Sequence, residues 1–138
     1  MGLLIDSTVF MAAERWQQTP HDVVARLLEE YGDVELALSV MSAGELIHGC
    51  WRADSAARRA RREEFVEAIL AAIPVVPLTL AIARVYGELD ARFASRGRRL
   101  PTSDLLIAST ALYRGDELVT GNPRHFARIS ELTVRRYA

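Results

Sequence analysis

Residues 3–10 read LLIDSTVF, and the fold turns on the change of character at Asp6. Leu3, Leu4 and Ile5 form a short, unbroken apolar run, the pattern of a strand covered on both faces in a parallel sheet. Asp6 and Ser7 then offer a cap for a short helix through Ala13. The switch repeats downstream. LALSV at 36–40 is a second buried strand, and Ser42 and Glu45 behind it have the S-x-x-E spacing of a capping box. Between the two, Thr19 and Pro20 place a cap and an N1 proline before DVVARLLEEY. Its Val23, Val24, Leu27 and Leu28 follow the helical period, and Gly32 ends it.

Outward from this core the alternation continues. Residues 55–73 carry a helical pattern through Phe65, Val66, Ile69 and Leu70. VVPL follows as a brief strand that Pro74 and Pro77 push to a sheet edge, since proline cannot donate to a central ladder. A helix over 81–94 leads into the loop SRGRRLPTS and the helix DLLIASTALYR, which ends at Gly115. Then come the strand ELVT, the loop GNPRHF with a turn of helix, and a last strand LTVRRY. Strands alternating with helices predict a three-layer α/β/α sandwich around a five-stranded, mainly parallel sheet with right-handed crossovers. At 138 residues, with no internal repeat, low-complexity tract or linker, one domain over 1–138 is expected.

Composition narrows the chemistry. All 17 basic side chains are arginine, set against 18 acids for a net charge of −1. Lysine-dependent chemistry is excluded: no Schiff base, no P-loop lysine. Charges interrupt every apolar stretch well before the ~18 residues of a membrane span. The N-terminus lacks the basic n-region of an export signal, and Asp6 stands where a myristoylation signal wants Ser or Thr. Cys50 is the single cysteine, so neither a disulfide framework nor a thiolate metal cluster is expected, which suits a reducing cytoplasm. A small apolar role on a helix is the expectation for Cys50.

Ligands of parallel α/β sheets gather outside the carboxyl ends of the strands. Asp6 follows the first strand, Glu45 lies early in the helix after the second, and Asp104 opens the helix before ELVT. Each has an ordinary local use: Asp6 as a cap, Glu45 closing a box with Ser42, Asp104 complementing a helix dipole beside a Thr102 or Ser103 cap. Jointly, however, all three fall on one side of the sheet. Like charges gathered there oppose one another's ionisation, and a hard divalent cation such as Mg²⁺ or Mn²⁺ relieves the repulsion.

LLIDSTVF, SAGELIHG (with Ser42, Glu45, Leu46 and Gly49), SDLLIASTAL and VTGNPRHF occur in the order seen in PIN-domain ribonucleases. Over essentially its whole length the chain most resembles the VapC toxins of bacterial type II toxin-antitoxin pairs. That resemblance implies a Mg²⁺- or Mn²⁺-dependent endoribonuclease acting on single-stranded or looped RNA and leaving 5′-phosphate and 3′-hydroxyl ends. It also implies a homodimer, a cognate antitoxin that blocks the cleft, and Asp6, Glu45 and Asp104 as catalytic and metal-site acids. The sequence departs from the family where members often carry a fourth acid: here the two positions are Asn122 and His125. Asn122, Thr120 and Ser42 remain as auxiliary polar groups, and the reduced charge predicts one tightly held ion with a second arriving with RNA. The same departure supports the alternative of an inactive PIN-like module that binds protein or RNA.

Arg96, Arg98 and Arg99 lie in the loop entering the Asp104 helix and are candidate RNA phosphate contacts, because the guanidinium fork bonds two oxygens at once. Arg58, Arg59, Arg61 and Arg62 form a second cluster, partly offset by Glu63 and Glu64, which suits an RNA track or an acidic antitoxin segment. His48 is expected in the cleft or in packing. Trp16 and Trp51 are expected in the core or at a subunit interface, as are Tyr86, Leu89 and Phe93.

Overall fold

The computed structural model describes residues 2–137; Met1 and Ala138, included in the expected domain, lie outside the described residues. The chain runs β1 (Gly2–Ile5), α1 (Ser7–Arg15), α2 (Pro20–Tyr31), β2 (Glu35–Ser39), α3 (Val40–Trp51), α4 (Ala56–Ala72) and β3 (Val75–Val76). It continues through α5 (Leu80–Ser95), α6 (Thr102–Arg114), β4 (Glu117–Thr120), a 3₁₀ turn (Pro123–His125) and β5 (Val134–Arg136). The five strands lie in the order β3-β2-β1-β4-β5, and every pairing is parallel. The two-residue β3 holds the edge that its flanking prolines require.

Alternation along the buried strands divides the core into two layers. Leu3 and Ile5 of β1, Leu38 of β2 and Val119 of β4 pack with Phe10, Val23, Leu27, Cys50, Val66 and Ile69, from α1 to α4. Leu4, Ala37 and Leu118 point the other way, against Leu89, Phe93, Leu105, Ile107 and Phe126. The sheet therefore sits between a four-helix layer and a layer built on α5 and α6, as the three-layer reading expects. Leu89 and Phe93 are core residues, whereas Trp16 and Trp51 are 76% and 70% exposed and belong to no core.

Gly2 has a steric reason to be glycine. A Cβ there would stand 2.7 Å from the Glu35 carbonyl oxygen, inside the β1–β2 ladder. Gly115 ends α6 in the left-handed region at φ 71°, a conformation that costs other residues more. The expected cap at Thr19 is present, and Asp22 at N3 makes it a full capping box.

Two local expectations need correction. Ser42 and Glu45 form no capping box, because β2 runs straight into α3 and the helix begins at Val40. Ser39, still extended, is the N-cap, and its hydroxyl accepts from the Ser42 amide at 3.0 Å. Neither Thr102 nor Ser103 caps α6: both are already helical, and Pro101 occupies the cap position without a side-chain bond.

Candidate metal centre

The strand order reverses direction between β1 and β4: β2 and β3 extend the sheet one way, β4 and β5 the other. Such a switch point leaves a crevice at the carboxyl ends of the strands. Asp6 directly follows β1 at that crevice and Thr120 ends β4 beside it. Glu45 reaches in from the second turn of α3, and Asp104 from the first turn of α6.

Asp6 occupies the N-cap position of α1 but its side chain makes no cap bond. Instead, Oδ2 accepts from Thr8 Oγ1 at 2.6 Å and from Thr120 Oγ1 at 2.7 Å. These two hydroxyls are themselves aimed by backbone. The Gly121 amide donates to Thr8 Oγ1 at 2.9 Å, and the Asn122 amide to Thr120 Oγ1 at 3.0 Å. Glu45 Oε1 accepts from Ser7 Oγ at 2.9 Å, and Asp104 Oδ2 lies 3.3 Å from His125 Nδ1.

The electrostatics bind these acids into one system. Burial pushes the Glu45 carboxyl above its ordinary range; the Ser7 hydroxyl pulls the other way, and the charges of Asp6 and Asp104 add to the rise. Asp104 is likewise raised, first by burial, with His125 opposing and Asp6 adding to the shift. Repulsion among carboxylates is the cost that a cation removes.

The donor set suits a hard cation. It is all oxygen, and in each acid one oxygen is held by a hydroxyl or imidazole. The other (Asp6 Oδ1, Glu45 Oε2, Asp104 Oδ1) takes no hydrogen bond among the described residues. Among the described residues no group of three or more His, Cys, Asp or Glu side chains is arranged to hold a metal ion. Mg²⁺ commonly takes only one or two protein carboxylates, with water and substrate oxygens completing its shell.

Of the auxiliary residues, Thr120 joins the site directly. Asn122 borders it, half-buried, through its backbone amide, while its side chain makes no hydrogen bond among the described residues. Ser42 does not join: it is wholly buried under α3 and its Oγ accepts from Ser39 at 3.2 Å. His48 is exposed, not packed. His125 is more than the loop residue its exposure suggests, since it reaches Asp104. Sequence reasoning missed the part of Ser7 and Thr8. The only signal is a pair of hydroxyls directly after Asp6; the local reading takes Ser7 as a cap and gives Thr8 no role.

Among the arginines, Arg96 and Arg98 are exposed in the loop before α6, and Arg99 reaches Asp90 at 3.3 Å. Arg58 pairs with Asp54, and Arg62 lies 3.6 Å from Glu14 while donating to the Gly49 carbonyl; Glu63 and Glu64 are not their partners. Arg61 and Arg62 line a groove of about 960 Å³ between the α1–α2 turn and α4, floored by Pro20, Val24 and Phe65.

Comparison with known proteins agrees with this architecture. Residues 3–132 match the profile of the PIN domain family. Ribonuclease VapC10 of Mycobacterium tuberculosis is 35% identical, over 94% of this chain and 90% of its own length. Ribonuclease VapC1 of Rickettsia felis is 28% identical over 97% and 95%. The crystal structure of VapBC2 from Rickettsia felis, bound to a DNA fragment from their promoter, superposes with a TM-score of 0.85. It covers the whole of both chains at 22% identity.

Proposed function

The chain belongs to the PIN domain family, among its VapC ribonucleases, and from that premise we propose that it is the endoribonuclease toxin of a toxin-antitoxin pair. It hydrolyses phosphodiester bonds of single-stranded or looped RNA, in the cytoplasm, with Mg²⁺ or Mn²⁺ as cofactor. The observation that carries this reading is the placement of three carboxylates from three separate elements around the β1–β4 switch point, near enough that Asp6 and Asp104 raise the Glu45 carboxyl and Asp6 raises Asp104.

Asp6, Glu45 and Asp104 are the residues that would hold the cation. When bound, Mg²⁺ or Mn²⁺ stabilises charge on the phosphate oxygens and makes water a competent nucleophile toward phosphorus. Thr8 and Thr120 keep Asp6 oriented. Arg98, and Arg96 over the Phe93 ring, offer guanidinium groups to the RNA backbone entering along α6; Arg99 joins them by releasing Asp90.

The groove beside α4, lined by Arg58, Arg61 and Arg62 and also by Glu14 and Glu64, suits an amphipathic segment of the antitoxin, its apolar side against Val24 and Phe65 and an acid against Arg61. Val40, Leu78 and Leu80, exposed at the carboxyl ends of β2 and β3, suit the contact of a homodimer.

The test is cleavage of a mixed RNA pool by purified, antitoxin-free protein with Mg²⁺ or Mn²⁺, beside Asp6→Asn and Asp104→Asn. Cleavage by the wild type alone is expected. Equal cleavage by all three refutes the site, and cleavage by none favours a binding module.

A further inference from the structure

Outside the crevice, two arginines from different segments share one aromatic ring. The Arg96 guanidinium, at the end of α5, stands 6.0 Å from the centroid of Phe93, and that of Arg128, in the β4–β5 loop, 5.9 Å. Both residues are exposed, and neither meets an acid among the described residues. Their neighbours are neutralised: Arg92 bonds Glu131 through both terminal nitrogens at 3.1 and 2.7 Å, and Arg99 reaches Asp90 at 3.3 Å. Like charges gathered at one ring repel each other, and an anion lying between them removes that cost.

The backbone that carries each arginine is fixed. α5 ends in a Schellman motif, in which the Gly97 amide donates to the Ala94 carbonyl at 3.0 Å and the Arg98 amide to the Phe93 carbonyl at 3.1 Å. In the facing loop, Phe126 and Ile129 anchor the chain in the core on both sides of Arg128. The Arg92–Glu131 pair ties that loop to α5. Guanidinium groups presented from such backbone and laid on a ring lose less freedom when a ligand arrives.

Both segments also lead to the crevice. The α5–α6 loop runs into the helix that carries Asp104, and Arg128 follows His125, the partner of Asp104, by three residues, so the Cα atoms of Arg128 and His125 are at most about 11 Å apart. Phe93 is 3% exposed, so its ring offers no stacking surface to a base and the guanidinium groups alone face a ligand. Their planar fork matches a pair of phosphate oxygens. We propose that Arg96 and Arg128, seated on Phe93, are substrate-binding residues that hold a backbone phosphate of the RNA outside the crevice, a short way along the strand from the one being cleaved. The contact rests on the reading of the chain as a ribonuclease, and it positions the strand without reading its bases.

The experiment measures binding of labelled oligouridylate and oligoadenylate by fluorescence anisotropy, in EDTA over a range of NaCl concentrations, with melting temperatures. The proteins are the wild type, Arg96→Gln, Arg128→Gln, the double variant, Arg128→Lys and Arg15→Gln. Arg96→Gln and Arg128→Gln should each weaken both RNAs about three- to tenfold and lower the slope of log K against log[NaCl] by about 0.7, the double variant by about 1.4. Cleavage of a mixed RNA pool in Mn²⁺ should slow in these variants at low RNA and recover at saturating RNA. Arg128→Lys retains the charge and should keep the wild-type slope. Arg15, exposed on α1 in the opposite layer, controls for net charge, and its variant should bind like the wild type. A double variant that melts and binds like the wild type overturns the proposal, as does an equal loss in Arg15→Gln. Loss of antitoxin binding with RNA binding intact reassigns the pair to a protein contact and overturns it too. A wild type that neither binds nor cleaves RNA brings down the ribonuclease reading as well.

Discussion

Glu45→Gln should make the metal-free protein more stable and the metal-loaded protein less stable than the wild type. The substitution keeps the size of the side chain and an oxygen to accept from Ser7, and removes one of three interacting charges. Glu45 is only partly buried, so water screens part of the repulsion. The gain belongs at the low end of the ~0.5–2 kcal/mol that relief of an unfavourable charge returns, about 0.7 kcal/mol, or about 3 °C in melting temperature at this chain length. The sign with pH follows from the raised carboxyl. Its folded form binds a proton more tightly than the unfolded chain, so the cost of ionisation is present at neutral pH and absent once both states are protonated. The gain should vanish as pH falls below about 4. With Mn²⁺ at about 100 times its dissociation constant, the wild type gains about 2.7 kcal/mol. A variant whose affinity has fallen about 100-fold gains only ~0.4 kcal/mol under the same relation, leaving the wild type ahead by about 1.6 kcal/mol. Differential scanning calorimetry at pH 7 and pH 4, with and without Mn²⁺, reads all of this. A variant less stable than wild type at pH 7 without metal, or an equal Mn²⁺ gain in both proteins, refutes the reasoning.

Further outcomes follow from the same geometry. Ser39→Ala removes the N-cap of α3 and should cost about 1 kcal/mol in urea unfolding. Phe126→Ala empties a core position that is 1% exposed and should cost about 3–5 kcal/mol by the same measurement. His125→Ala removes the partner of Asp104 Oδ2 and should lower kcat/KM for RNA about tenfold, while the melting temperature moves little because the imidazole is mostly exposed. Arg61→Glu reverses charge in the α4 groove. It should weaken antitoxin binding at least tenfold in a pull-down titration and leave RNA cleavage unchanged.

How far the site was legible in the chain depends on the residue. Asp6, Glu45 and Asp104 could be placed because each sits next to a strand or helix start that the apolar pattern marks. Glu45 was assigned a local partner, Ser42, that the helix register denies it: with α3 beginning at Val40, the Ser42 amide bonds Ser39, and Glu45 is left to meet Ser7 from another element. Thr8 escaped notice for the complementary reason. Its partners, Gly121 and Thr120, lie more than 100 positions away, and nothing within LLIDSTVF reports that β4 will end beside it.

Local pattern was sufficient for what depends on neighbours along the chain. The strand–helix alternation, the edge position of the proline-flanked β3, the Thr19 cap and the glycine helix ends all arise from backbone preference and periodic burial, which a few adjacent residues determine. Tertiary structure alone decided the order β3-β2-β1-β4-β5, and with it the switch point at which Asp6, Thr120, Glu45 and Asp104 meet. It also decided which oxygen of each acid is held and which is open. Those are consequences of strand pairing across a parallel sheet, where residues distant in sequence become neighbours and the direction of a hydroxyl proton depends on an amide from another strand.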